Sequence, residues 1–363
     1  MFLAWQEIKH SPWRYISIAA VVFLVSYLVY FLTGLAWGLA ASYTEAIKPW
    51  KANSITVTEA SNKNALASRI PREKLEIPQD SAALTMTVAA VEDLQEQDQQ
   101  DQNSDSEDDS PTARVDTYVF AIDPDRFLAP EVVEGDPLSG SGEAVVDAKL
   151  KRAGYQLGDD ILLPQAQDPV RIVGFSKQTR FQTAPVIYVD DEDVDALLGQ
   201  GTSRFVSVVV NRGDDRPSAD ADLESVSESV FIDNLPGYRA QYLTFSLMVG
   251  SMILILSLVL GIFMYVLTLQ KKTIFGIMKA RGISTAYIAR AGAYQTLMVS
   301  TAGVLAGLGA AAASGLALAD TAPFAINTWL FALVTAAFIL FTLVGSLFPI
   351  RVISKIDPVK AIG

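Results

Sequence analysis

No cysteine occurs among the 363 residues, and there is one histidine, His10. The first absence excludes a disulfide framework, so any external domain must be stable through its own apolar core, which suits a bacterial surface better than a small secreted module. The second excludes most nucleophilic and metal-assisted catalysis. There is no H-E-x-x-H, and no histidine lies near a serine in the middle of the chain. A G-x-x-x-x-G-K-[ST] loop is missing too, so the chain cannot cradle ATP by itself and a partner must supply any energy that is used. Positive charge is also scarce: 28 Lys and Arg against 40 Asp and Glu leave a net charge of -12, and such a surface repels nucleic acid.

What is present is apolar. Half of the residues are hydrophobic, and the excess collects in four charge-free runs, Tyr15 to Thr44, Ala240 to Gln270, Ala291 to Ala319 and Thr321 to Ile350. About 20 residues at 1.5 Å rise cross a hydrocarbon core of about 30 Å, so each run is long enough to span. A buried helix of a soluble protein rarely stays uncharged for so long. The first run is also too long for the apolar stretch of a cleavable signal and has no clean cleavage pattern after it, so it is expected to remain as an anchor.

Charge then sets the orientation. From Ala46 to Ala240 there are 36 acidic against 18 basic residues, whereas the remainder has 4 against 10. Basic residues flank spans on the cytoplasmic side. Lys9 and Arg14, then Lys271, Lys272, Lys279, Arg281 and Arg290, then Arg351, Lys355 and Lys360 all fall on one side of a four-span chain. Both termini are therefore expected in the cytoplasm and the acidic insert outside.

The organisation follows. Residues 1–14 read as an interfacial elbow helix carrying Phe2, Trp5 and Ile8, with Ser11 and Pro12 as N-cap and first turn of the next helix. Transmembrane helix 1 takes 15–45, an external α/β domain 46–239, and transmembrane helices 2, 3 and 4 take 240–270, 287–319 and 321–350. A basic cytoplasmic loop fills 271–286 and a tail 351–363. In the external domain, Ser54 to Glu59, Ala83 to Val91, Thr117 to Ile122, Ala144 to Asp147, Ile161 to Leu163, Val170 to Phe175, Pro185 to Val189 and Phe205 to Asn211 read as strands. Asp220 to Phe231 reads as a helix. Residues 92–110 are acidic and lack aromatic and basic residues, which predicts a disordered loop; their spacing matches no calcium loop. Gly303, Gly307, Ala311 and Gly315 repeat every four residues, a spacing that lets helices approach closely inside a bundle.

In the loop, KKTIFGIMKARGIS places Ile274, Phe275, Ile277 and Met278 among basic residues, with Gly282 able to end one helix and Ser284 to cap the next. This segment, the tail ISKIDPVKAIG and the order of one helix, outer insert and three helices together resemble permease subunits of ABC transporters of the FtsX, LolC and MacB type. GEAVVDAKLKRAGYQLGDDILL followed by VRIVGFS resembles the family's outer domain. The strings MFLAWQEIKHSPWRY and YFLTGLAWGLA are most similar to the Hrt-type haem-export permeases of Gram-positive bacteria, with the acidic tract at 92–110 as a departure. The resemblance implies a MacB-like fold of four transmembrane helices with a mixed α/β extracellular domain between helices 1 and 2, in a bacterial plasma membrane. It also implies a homodimer, bound to a dimer of a separate ATPase that holds ATP and magnesium, which squeezes a cavity between protomers. Ile274, Phe275, Ile277, Met278, Lys279 and Arg281 would then couple the permease to the ATPase. The permease itself would be no enzyme and hold no resident cofactor or metal.

Haem, as cargo, is a flat apolar ring with two carboxylates and an iron that accepts oxygen ligands. Near the outer ends of helices 1 and 2, Glu45, Tyr43, Tyr238 and Tyr242 can offer oxygen. Lys48, Lys51 and Arg239 can pair with propionates, and Phe31, Leu35, Leu39, Phe245 and Met248 can line the ring. Ordinary interfacial anchors explain Glu45, Arg239 and the tyrosines equally well. Two other cargo classes stay open: a MacB-like exporter of peptides, lipids or antibiotics, and an FtsX-like transmitter of ATPase motion to an external hydrolase. A passive sensor without an ATPase is a third possibility.

Overall fold

The computed structural model describes residues 12–345 apart from 74, 93–113, 165, 167, 178, 220–221, 271 and 319–321. Most of the elbow at 1–14, the acidic loop at 92–110 beyond Glu92, Lys271 and the tail at 351–363 lie outside the described residues. The chain divides into two compact units, Ala40–Ala240 and the pair of segments Met1–Leu39 and Gln241–Gly363.

The helical unit is built from long apolar helices. Helix α1 (Pro12–Ser42) starts on the proline, whose missing N–H costs nothing in a first turn. Tyr15–Ser42 within it and Thr285–Ala317 are long and apolar enough to cross a membrane, and a shorter apolar helix covers Thr328–Val344. A helix also covers Tyr238–Gln270, uncharged after Arg239. Inside this unit Gly303 and Gly307 face α1. A Cβ on Gly303 would sit 2.8 Å from Val22, and one on Gly307 would run into Ser26 Oγ and the backbone nitrogen of Tyr27. Ser26 Oγ donates to the Gly303 carbonyl at 3.2 Å, a polar tie made possible by that close approach. Tyr30 reaches Thr335 at 2.6 Å and packs its ring on Phe331 and Phe338. The four-residue spacing of small residues thus serves packing within the bundle.

The other unit is a mixed sheet. Its strands are β1 (Ser54–Thr58), β2 (Ile70–Pro71), β3 (Ser81–Glu92), β4 (Arg114–Ile122), β5 (Val132–Gly135) and β6 (Glu143–Asp147). After the short helix α2 (Ala148–Arg152) come β7 (Asp160–Ile161), β8 (Val170–Ser176), β9 (Arg180–Phe181) and β10 (Ala184–Asp190). Helix α3 (Val194–Leu198) precedes β11 (Phe205–Val206), β12 (Val208–Asn211) and β13 (Leu223–Val226), and α4 (Glu228–Asp233) leads to α5 (Tyr238–Gln270). The main sheet runs β13-β1-β12-β3-β4-β10-β6-β8-β5, with β10 parallel to β4 and β6 parallel to β8. Side chains alternate faces along a strand. Phe120, Val186 and Tyr188 accordingly enter one buried cluster with Trp50 and Phe231, while Val119, Ile187 and Val189 enter a second with Leu150 and Leu197.

One expectation is corrected. Leu223–Val226, read above as helical, is a strand that pairs antiparallel with β1, and the helix starts only after Ser227, whose hydroxyl caps Val230 N. The unpaired edge of β1 offers these four residues ladder bonds that an isolated short helix could not match.

The turn between β9 and β10 is strained. Phe181 pairs with Ala184, so Gln182 and Thr183 are the whole loop, and both have positive φ, 48° and 77°. Such a two-residue turn favours Asn-Gly, and a β-branched residue there is costly. Thr183→Gly is therefore expected to stabilise the protein by ~0.5–1 kcal/mol, the left-handed penalty less glycine's added unfolded-state entropy. The midpoint of thermal unfolding checks it.

Candidate functional site

The sheet unit takes in the last turn of α1, because the boundary falls between Leu39 and Ala40. Beyond Ser42 the chain turns back, and Ala46, Ile47 and Trp50 are buried in the first cluster with Phe120 and Phe181. Glu45 therefore lies on a segment already fixed by its neighbours. Its carboxylate accepts from Arg180 Nε at 2.7 Å and Arg180 Nη2 at 2.9 Å, a two-pronged pairing in which both side chains are about one-fifth exposed.

The charge of Arg180 also acts on Asp147, the N-cap of α2. Asp147 accepts from Lys149 N at 2.7 Å and from the Thr179 backbone N–H, and is buried. Burial pushes its carboxyl above the usual range, although backbone donors and the Arg180 charge work the other way. Arg180 is itself held firmly protonated: burial opposes its charge, but the hydrogen bond and charge of Glu45 outweigh that. Glu45 and Arg180 lie 135 residues apart in sequence. Sequence reading singled out Glu45 and missed Arg180, since one arginine in an acidic domain carries no local signal.

The predicted cargo residues divide between the units. Tyr43, Glu45, Lys48, Lys51, Tyr238 and Arg239 belong to the sheet unit, and Phe31, Leu35, Leu39, Tyr242, Phe245 and Met248 to the helical unit. Within the first, the rings of Tyr43 and Tyr238 meet at 5.7 Å, tilted by 59°, while Lys48, Lys51 and Arg239 are exposed. Within the second, Phe31 stacks between Tyr27 and Phe324 at 5.9 and 5.8 Å, and Tyr242 and Met248 are exposed on α5. Glu45 is not the open oxygen donor expected from its position, because Arg180 takes both of its oxygens.

The basic segment forms helix α6 (Lys272–Ala280), which Gly282 ends with φ of +85°, and Ser284 caps α7 (Thr285–Ala317) by accepting from Tyr287 N. The last described helix is α8 (Thr328–Gly345). Of the six predicted coupling residues, Phe275 and Met278 pack against Ile288 and Ile283, so they anchor α6 to the start of α7. Ile274, Ile277 and Arg281 are exposed. Large aliphatic side chains on the open side of an amphipathic helix are suited to a covering partner or a lipid surface.

Known proteins align with the chain along its length. Residues 16–226 match the family model of a MacB-like periplasmic core domain, and residues 246–358 match that of an FtsX-like permease C-terminal region. The chain is 25% identical over 365 residues to a protein of Staphylococcus haemolyticus named putative hemin transport system permease protein HrtB, covering all of this chain and 99% of the relative. Two strains of Staphylococcus epidermidis have proteins of the same name that are 24% identical over 371 residues, with the same coverage.

Proposed function

This chain belongs to the ABC transporter permeases of the MacB and FtsX type, and from that we propose that it is the membrane subunit of a pump that extrudes haem. The family places it in a membrane with its core domain on the outer side. The observation that carries the haem reading is the end-to-end alignment with permeases named for hemin transport.

The proposal has four helices crossing the bilayer, namely α1, α5, α7 and α8, with both termini in the cytoplasm. Exposed tryptophans support this placement. Trp13 and Trp37 lie at the two ends of α1, about 36 Å apart along a helix, and Trp329 opens α8; indole rings prefer the headgroup level. Two such permeases would bind a pair of separate ATPase subunits through the exposed side of α6, with Ile274 and Ile277 as apolar anchors and Arg281 and Lys279 supplying charge. Hydrolysis there would shift α1 and α5 and squeeze the outer cavity between protomers. In this reading Phe31, Leu35, Leu39, Phe245 and Met248 line the ring, and Tyr43, Tyr238 and Tyr242 supply oxygen. Lys48, Lys51 and Arg239 hold propionates, and Glu45 reaches the iron only by releasing Arg180.

Absorbance titration of haemin into the purified protein in nanodiscs tests this. Saturable binding with a shifted Soret band is expected, weakened by Glu45→Ala. Titration without saturation removes haem as the cargo and leaves the permease family standing. Growth of a strain lacking the gene on toxic haem is the companion measurement.

A further inference from the structure

The described residues of the helical unit include lysine and arginine but not one aspartate or glutamate. Arg290, in the second turn of α7, is exposed and so has no carboxylate to pair with among the described residues of its unit. It is also the last charge before the run that starts at Ala291. A cation at the foot of a span, with no anion of its own unit beside it, is open to one from outside.

Two tyrosines flank it. Tyr287 lies three residues before and Tyr294 four after, 54% and 41% exposed, and at 3.6 residues per turn the three side chains share an arc of about 60°. The rotation of α7 is fixed from its other side, where Ile288 packs with Phe275, Gln295 Nε2 donates to the Tyr15 hydroxyl, and Thr296 and Val299 are buried. The face carrying Tyr287, Arg290 and Tyr294 therefore points away from the bundle. Side chains on a helix lean toward its N-terminus, which brings the Tyr294 hydroxyl back toward Arg290. In the opposite direction Leu305, 54% exposed, continues the same line as an apolar track.

We propose that Tyr287, Arg290 and Tyr294 hold the phosphodiester headgroup of an anionic phospholipid from the cytoplasmic leaflet. The guanidinium fork donates two N–H bonds to one phosphate, the phenol hydroxyls donate to its remaining oxygens, and an acyl chain runs along α7 past Leu305. A zwitterionic lipid fits less well, because it brings a cation of its own that the arginine repels. The site rests on the proposed crossing of α7 with its first turns at the cytoplasmic surface, but not on haem as the cargo.

The full protein in a neutral detergent is titrated with fluorescent phosphatidylglycerol, read by anisotropy, and competed with unlabelled phosphatidylglycerol, phosphatidylcholine and glycerol phosphate. Phosphatidylglycerol is expected to compete about tenfold better than phosphatidylcholine, the size of one charge-assisted pairing, and glycerol phosphate not at all. Arg290→Gln should make the two lipids equal, whereas Arg204→Gln, which removes an exposed arginine of the sheet unit, should leave the preference intact. Tyr287→Phe/Tyr294→Phe should keep the chains bound and narrow the preference to about threefold. Because the Arg290 side chain is exposed, the thermal midpoint of Arg290→Gln without lipid should match wild type, which separates lost binding from lost folding. Equal competition by the two lipids in wild type, or a preference that survives Arg290→Gln, overturns the site. Glycerol phosphate competing as well as the lipid reassigns it to a soluble phosphate, and loss of the preference once the co-expressed ATPase is bound gives the face to that subunit; either result overturns the lipid. A failed haemin titration leaves these outcomes unchanged.

Discussion

Gly307→Val is expected to remove the folded protein from the membrane. A Cβ at this position collides with Ser26 Oγ, lies 2.8 Å from Tyr27 N and 3.1 Å from the Phe23 carbonyl, and two of those three neighbours are backbone atoms that cannot rotate aside. The helices must separate, which also breaks the hydrogen bond from Ser26 to the Gly303 carbonyl. Overpacking of a close contact costs about 1–3 kcal/mol, and the lost dispersion along the seam and the stranded hydroxyl add to it, so ~3 kcal/mol or more is expected. Gly309→Val provides the comparison: the same helix receives the same branched side chain two residues on, but a Cβ there meets nothing within 4 Å. Membrane yield and the thermal midpoint in detergent should fall for the first variant and stay near wild type for the second. Equal behaviour of the two would mean that α1 and α7 are not in contact through Gly307.

Ile274→Asp/Ile277→Asp is expected to abolish capture of the ATPase subunit while leaving the permease folded. The two isoleucines are three residues apart on α6 and exposed, whereas the adjoining side, with Phe275 and Met278, is what packs on Ile283 and on Ile288 of α7. Folding should therefore tolerate the change. In an apolar interface, by contrast, each substitution removes an anchor and leaves a carboxylate to be desolvated, together about 3 kcal/mol or more and thus at least roughly a hundredfold in affinity. Co-purification of the co-expressed ATPase and ATP hydrolysis by the recovered complex are the measurements. Wild-type recovery of the ATPase would assign the exposed face of α6 to the lipid surface instead.

Much of this architecture is legible in one dimension. Periods of apolar residues and the distribution of charge located the long helices, alternation located strands such as Ser54 to Glu59 and Ala83 to Val91, and apolar runs between turn residues located strands buried on both faces, such as Thr117 to Ile122 and Pro185 to Val189. Gly282 and Ser284 ended one helix and began the next as their chemistry requires. Strands with no pattern of their own were not legible. Arg180–Phe181 is two residues long and exists because β10 offers it an edge, and Leu223–Val226 is a strand because β1 does.

The site shows the same division more sharply. Glu45 drew attention as a charge just beyond a span, where an ionisable group needs a reason to be. Its reason is Arg180, 135 residues away, and no local pattern links the two. Likewise, α6 was recognisable as an amphipathic basic segment, but which of its apolar residues face inward was settled by Ile283 in the turn that follows and Ile288 in the first turn of α7.

By itself the sequence determined that this protein is built on long uncharged spans around an acidic insert that lacks disulfides and catalytic histidine chemistry, because length, period and charge act through neighbours along the chain. Only the tertiary structure decided that Glu45 is clamped by an arginine, that a strained two-residue turn joins β9 to β10 and that glycines of α7 admit α1 to backbone contact. Those features depend on which distant surfaces meet, and close packing, which leaves no room for even one added carbon at Gly307, selects among meetings that composition alone leaves equal.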